Sequence, residues 1–365
     1  MKKSFLAVSV AALFFTACSN SEDFETPQPQ KEIALNPVAQ KATRTPISGT
    51  SFGDGQKIYV SAWNSVSKDY FKNIEFSEDE STGIWKAQKY WPINGVTSFL
   101  AYAFTPATQE TSVMDANTAA WGDSDAGWAK QVSFAFVDNP SNPTKEKTLY
   151  HDAENADAVQ TCTTTPTTEQ QQNGTPYVDL LYANADQTKE KAYSNVEMQF
   201  KHSGAWIVFH VQLGTDISQN NAELSINTFK LLNVHTGGTL NIDNKVVGGA
   251  KAAWDFVDAV NYDVESFAKI DDVEKDKTYV FGAILPEQNQ TAIQFEYTLK
   301  PASGNTSFKA QTATYTHNLD RFNKWEMGKK YVYTITISFS EIEIKPTVTD
   351  WDTTAPAGEI PVPVK

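Results

Sequence analysis

The chain has 365 residues, of which 40% are hydrophobic, 12% aromatic and 20% charged, with a formal net charge of −14. That length exceeds one small domain, and the hydrophobic content is too high for a broadly disordered chain. The acidic balance argues against a nucleic-acid partner, because phosphate backbones are repelled.

The chain opens with Met1-Lys2-Lys3 and an apolar run from Phe5 to Phe15. Eleven residues cannot cross a hydrocarbon layer of about 30 Å as a helix, so the segment reads as a signal peptide over residues 1–17. Thr16-Ala17-Cys18 follows, and small residues before a cysteine resemble the lipobox of bacterial lipoproteins, although Phe15 stands where the usual box has leucine. The resemblance implies acylation of Cys18 and anchoring in the outer membrane. The acidic Ser-Asn-Ser-Glu-Asp-Phe-Glu segment after Cys18 resembles the surface-export signal of Bacteroides-type lipoproteins. With Cys18 acylated, Cys162 is the one remaining thiol, so no disulfide framework is expected.

Residues 18–44 read as a pro-segment and linker, rich in Pro, Gln and Lys, with one apolar patch at Ile33, Leu35 and Val38. Arg44, in Lys-Ala-Thr-Arg-Thr-Pro, is an exposed basic residue before the folded region and a natural protease site. From there, short β-type runs alternate with turn signals. Lys57–Trp63 is a strand, and Ile84-Trp85 leads through Tyr90-Trp91-Pro92 to the run Thr97–Phe104. In that run Phe99, Ala101 and Ala103 share one face while Leu100, Tyr102 and Phe104 share the other, so both faces are expected to be buried. Gln131–Val137 and Asp179–Ala183 add strands, and the polar stretch from Asp138 to Thr175 reads as loop or weak helix.

A second block begins near Val196, with strands expected at Glu197–Gly204, Ala205–Leu213, Ser225–Leu232, Gly238–Ile242, Lys277–Leu285, Ala292–Leu299 and Lys330–Phe339. The last alternates strictly, placing Tyr331, Tyr333, Ile335 and Ile337 on one face. No long segment has the helical period. The expected fold is all-β, with two tandem β-sandwich domains at residues 45–190 and 191–351 and a tail at 352–365.

Little points to chemistry. His151, His202, His210, His235 and His317 form no metal-ligand spacing, and no nucleophile elbow, Walker loop or dinucleotide fingerprint is present. Asp123-Ser-Asp-Ala-Gly127 lacks the distal Glu of a calcium loop and reads as a solvated turn. No metal, cofactor or enzymatic activity is expected. Most of the nine tryptophans fall within strand patterns and read as core, leaving Trp121 and Trp128 as surface candidates for sugar stacking.

The motifs in order resemble the fimbrillin family, the major fimbrial subunits of type V pili in Bacteroides-type bacteria. The resemblance rests on the lipobox, Arg44, Phe52–Val60, Tyr90-Trp91-Pro92 with Phe99–Phe104, Asp179–Ala183, Met198–His202, Trp325–Thr334 and Val348-Thr-Asp-Trp351. It implies transthyretin-like sandwich domains and a lipoprotein precursor that a trypsin-like protease cuts at Arg44. Residues Ile33, Leu35 and Val38 would then leave with the displaced strand. Another fimbrial subunit would fill the groove by head-to-tail strand donation, giving a surface fimbrium that supports adhesion. The tail is the candidate donor, since Ile360, Val362 and Val364 alternate, although Pro361 and Pro363 lie between them and remove backbone donors. The alternative is a surface lipoprotein that binds glycans without polymerising.

Overall fold

The computed structural model describes residues 31–39, 57–66, 68–105, 129–135, 148–152, 179–187, 194–217, 221–243, 251–256, 261–266, 270–271, 273 and 278–350. In chain order the first strands are β1 (Glu32–Ala39), β2 (Ile58–Asn64), β3 (Lys68–Asp79), β4 (Ile84–Tyr90), β5 (Thr97–Thr105), β6 (Ala129–Ala135) and β7 (Thr148–Asp152). There follow β8 (Asp179–Gln187), β9 (Val196–His202), β10 (Gly204–Leu213), β11 (Ala222–His235), β12 (Gly237–Asp243), β13 (Lys251–Asp255) and β14 (Asn261–Ser266). The last are β15 (Tyr279–Pro286), β16 (Gln288–Asn289), β17 (Ala292–Pro301), β18 (Gln311–Asn318), β19 (Lys324–Trp325), β20 (Lys329–Ile337) and β21 (Ile342–Asp350). The protein is all-β, and no helix occurs among the described residues.

Seven strands close a barrel in the order β1-β4-β3-β2-β5-β8-β9, with β9 returning to β1. A nine-stranded sheet runs β18-β17-β11-β14-β7-β15-β10-β20-β21, and β13-β12-β6 forms a further sheet. Alternation builds both cores. In β9, Val196, Met198 and Phe200 point into the barrel while Glu197 and Gln199 point out. In β20, Tyr331, Tyr333, Ile335 and Ile337 are all buried, as their period predicts. The second core centres on stacked rings. The Phe229 ring stacks on Phe281 and Phe295 with centroids 4.5 and 5.8 Å away, and the Phe209 ring meets it tilted, with centroids 5.2 Å apart. The Trp325 indole is fully buried and donates to the Tyr333 hydroxyl at 2.9 Å, which satisfies both polar groups.

Strand β5 joins the two cores. Phe99, Ala101 and Ala103 pack inside the barrel, whereas Leu100 and Tyr102 belong to the core of the larger sheet. The burial of both faces read from the sequence is present on these five residues.

Two differences concern the middle of the chain. The stretch from Asp138 to Thr175 contains β7, which pairs antiparallel with β15 and parallel with β14. Likewise β6, expected within the first block, pairs with β12 of the second. Strand pairing therefore crosses the expected division near residue 190. Open strand edges in the second block take partners from the earlier chain because an unpaired backbone edge must be satisfied wherever a segment can reach it. The alternation of β6 marks it as a strand without saying which neighbours it joins, whereas the five residues of β7 are too short to stand out from the polar stretch around them.

Candidate functional site: the slot held by the leading strand

The barrel depends on β1 for its closure. On one side β1 runs antiparallel to β4, with Glu32 opposite Tyr90, Ala34 opposite Lys86 and Leu35 opposite Trp85. On the other it runs parallel to β9, with Leu35 opposite Val196 and Ala39 opposite Phe200. Without β1, the facing edges of β4 and β9 would lose this pairing.

The side chains explain why this segment occupies the slot. Ile33 and Leu35 are completely buried in the barrel core, among Trp85, Trp91, Val196 and Met198. Full burial of two such side chains contributes about 1.5–3 kcal/mol each, before ordering costs. Pro37 is also buried, Asn36 is exposed and Val38 is half-buried. Counting in twos from Ile33 and Leu35 reaches Pro37, so the proline takes the third inward position, while Val38, grouped with them as an apolar patch in the sequence, is half-buried. A proline is thus accommodated in this slot.

The start of β1 is fastened by polar contacts. The Trp91 amide donates to the Lys31 carbonyl at 2.9 Å, and the Gln88 amide donates to Glu32 Oε1 at 2.9 Å. Gln88 has φ +50°, a left-handed conformation, and the ladder is irregular between Glu32 and Ala34. The Tyr70 hydroxyl donates to the Tyr90 carbonyl at 2.5 Å, and burial pushes its phenol pKa above the ordinary value. The indole Nε1 of Trp91 is buried with no hydrogen-bond partner among the described residues.

Below the slot, where β8 meets β9, His202 Nδ1 lies 2.5 Å from Asp179 Oδ2, with both side chains buried. The Ser203 amide donates to the Leu180 carbonyl at 3.0 Å nearby. His202 is accordingly a core histidine with a carboxylate partner. The sequence could not supply that partner, because 23 residues separate the two. Among the described residues no group of three or more His, Cys, Asp or Glu could hold a metal ion. Trp85, Trp91, Trp206 and Trp325 are core residues. Cys18, Arg44, Cys162, the calcium-like turn, Trp121, Trp128 and the tail residues Ile360, Val362 and Val364 lie outside the described residues.

What the fold and slot define is an all-β protein whose first barrel is completed by a strand from the leading segment. The chain belongs to the fimbrillin-like family, whose model matches residues 43–351. That match begins after β1, so the slot-filling strand lies ahead of the family region. Among solved structures, a fimbrial protein from Bacteroides vulgatus is 13% identical, with a TM-score of 0.48, over 87% of this chain and 99% of that one. The tip fimbrial protein Mfa3 from Porphyromonas gingivalis is 12% identical, with a TM-score of 0.37, over 88% of this chain and 100% of that one. Among curated proteins, none matches the chain in sequence.

Proposed function

We propose that this protein is a structural subunit of a cell-surface fimbria, assembled by protease-triggered strand exchange and supporting adhesion. The precursor is held at the outer membrane by acylated Cys18. A trypsin-like protease cuts after Arg44, β1 leaves with the leading segment, and a strand from another subunit enters between β4 and β9. Head-to-tail donation of this kind does not close on itself, so it builds a filament.

One observation carries the reading: β1 is both a barrel-closing strand and the piece that a cut at Arg44 would detach. Its loss opens two backbone edges and an apolar groove, which strand addition from another chain satisfies together. The tail residues Ile360, Val362 and Val364 suit such a groove, and buried Pro37 is a precedent for proline within it.

The test is limited trypsin cleavage of the purified, non-lipidated precursor, followed by electron microscopy and gel analysis without boiling. SDS-resistant ladders and filaments are expected after the cut and not before it. A protein that stays monomeric after a verified cut at Arg44 would overturn the assignment as a polymerising subunit.

A further inference from the structure

Four of the five exposed large hydrophobics among the described residues lie at one end of the barrel: Val66 at 66%, Tyr90 at 45%, Ile93 at 67% and Val96 at 40%. They sit on or beside the loops after β2 and β4. These loops are stitched together. The Ser65 amide donates to the Val96 carbonyl, and the Val96 amide donates to Ser65 Oγ, both at 2.9 Å. Buried Asn64 donates from Nδ2 to the Asn94 carbonyl and to Thr97 Oγ1, each at 3.0 Å, and its Oδ1 accepts from the Val66 amide at 3.0 Å. Neither Asn64-Ser-Val-Ser67 nor Trp91-Pro-Ile-Asn-Gly-Val96 carries a charge, in a chain with net charge −14. A rigid, uncharged, apolar tip of this kind is the character of a contact surface.

Its position indicates what it contacts. Tyr90 lies opposite Glu32, and the Trp91 amide donates to the Lys31 carbonyl, so the tip lies beside the mouth through which β1 enters the slot. A strand that takes over the hydrogen bonds of β1 runs parallel to β9 and antiparallel to β4. Its first residue is then at this mouth, and the body that gives the strand stands at the same end. Residues 351–365 supply fifteen residues after β21, and β1 occupies eight. The seven left over span at most about 25 Å, at roughly 3.3–3.6 Å per residue. The tip of the receiving subunit must therefore lie within about 25 Å of Asp350 of the giving one.

A cleft of about 820 Å³ opens at that point, lined among others by Arg321, Phe322, Tyr331, Val348 and Asp350. Phe322 packs against Tyr331 with ring centroids 5.6 Å apart. Two of its lysines are paired, Lys324 with Glu287 at 2.6 Å and Lys329 with Asp350. Phe322, Tyr331 and Val348 give the cleft an apolar floor within a charged rim, and because its two lysines are already paired, an apolar knob seated on that floor does not leave them buried and unpaired.

We infer that the Val66–Ile93–Val96 tip of one subunit seats in the Phe322–Val348 cleft of the second copy whose tail fills its slot. This rests on the strand-exchange reading above. The contact fixes the angle between successive bodies, and it restrains the linking residues so that strand entry becomes effectively intramolecular.

The experiment separates docking from strand exchange. Trypsin-trimmed full precursor is compared with V66D/I93D and with F322D, measuring both ladder formation and binding of a synthetic peptide of residues 351–365. The trimmed variants are expected to bind the peptide within about twofold of the parent, while ladders form at least about tenfold more slowly, a loss of roughly 1.4 kcal/mol. Ladder formation at the parental rate in both variants overturns the docking contact and leaves strand exchange standing. A parent that forms no ladder and binds no peptide overturns both. Independently of any folding defect, mixed I93C and V348C subunits in a C162S background should cross-link on oxidation. Absence of that cross-link in ladders that do form also refutes the contact.

Discussion

Leu35→Ala offers the sharpest test of how β1 is held. Leu35 is fully buried and pairs with Trp85 on one side and Val196 on the other. Truncating it removes three carbons from a packed core, and such Leu→Ala changes cost about 2–5 kcal/mol depending on how far the cavity collapses. In the uncut precursor the cost appears as a lowered midpoint of chemical unfolding with an unchanged denaturant slope. In the cut protein, β1 is held by non-covalent contacts alone. There the same loss shifts the equilibrium toward departure of the strand by about thirtyfold or more, because each 1.4 kcal/mol is a factor of ten. The assay is retention of the leading segment on size exclusion after trypsin, at a series of times. Asn36→Ala is the control: its side chain is exposed, so a change within about 0.5 kcal/mol is expected. If Leu35→Ala released the segment no faster than Asn36→Ala, the claim that inward side chains hold β1 in its slot would be wrong.

Three further outcomes are expected. Arg44→Ala should block trimming by trypsin at that position and leave the melting temperature of the precursor unchanged, as read by gel and by calorimetry. Gly95→Ala should destabilise the protein by about 1–3 kcal/mol, since φ is +91° and an added Cβ would lie 2.8 Å from the Asn64 and Ser65 side-chain oxygens; denaturant titration checks it. Burial raises the phenol pKa values of Tyr182, Tyr331 and Tyr333 above the ordinary 10.0. Unfolded phenols release protons near that value while the folded ones retain them, so stability is full below about pH 10 and declines as pH rises toward the folded pKa values. Tyr333→Phe should flatten the alkaline part of the unfolding curve, at the cost of leaving the Trp325 indole N–H without its acceptor.

The core of the fold was legible where alternation met burial. β20 and β5 gave up their faces directly, because one or both sides pack against apolar layers. Edge and bulged strands were not legible. β18 reads Gln-Thr-Ala-Thr-Tyr-Thr-His-Asn and lies at the edge of the large sheet with its side chains mostly exposed, so it carries no apolar stripe. At the opposite edge, β21 holds Lys345 and Pro346, residues that protect an edge and also disguise it as a loop. β3 is long and charged, and Asn73 at φ +47° interrupts its period. Around the slot, Ile33 and Leu35 were readable as an apolar patch. Their place between β4 and β9 was not, since the patch lies more than 150 residues from Val196. The apolar tip left no signal either: Val66, Ile93 and Val96 are scattered singly, and the hydrogen bonds of Asn64 and Ser65 bring them together.

Strand β5 has a mechanical consequence. Phe99, Ala101 and Ala103 serve one lobe and Leu100 and Tyr102 the other, so melting either lobe strips one face of the strand that both share. Tension entering through a strand seated beside β9 would pass across β8 to β5 by lateral ladder bonds and arrive directly among the aromatic rings of the larger sheet. Within each unit of a chain under pull, the seam between lobes would carry force as a continuous weave, with no slack joint to give way first.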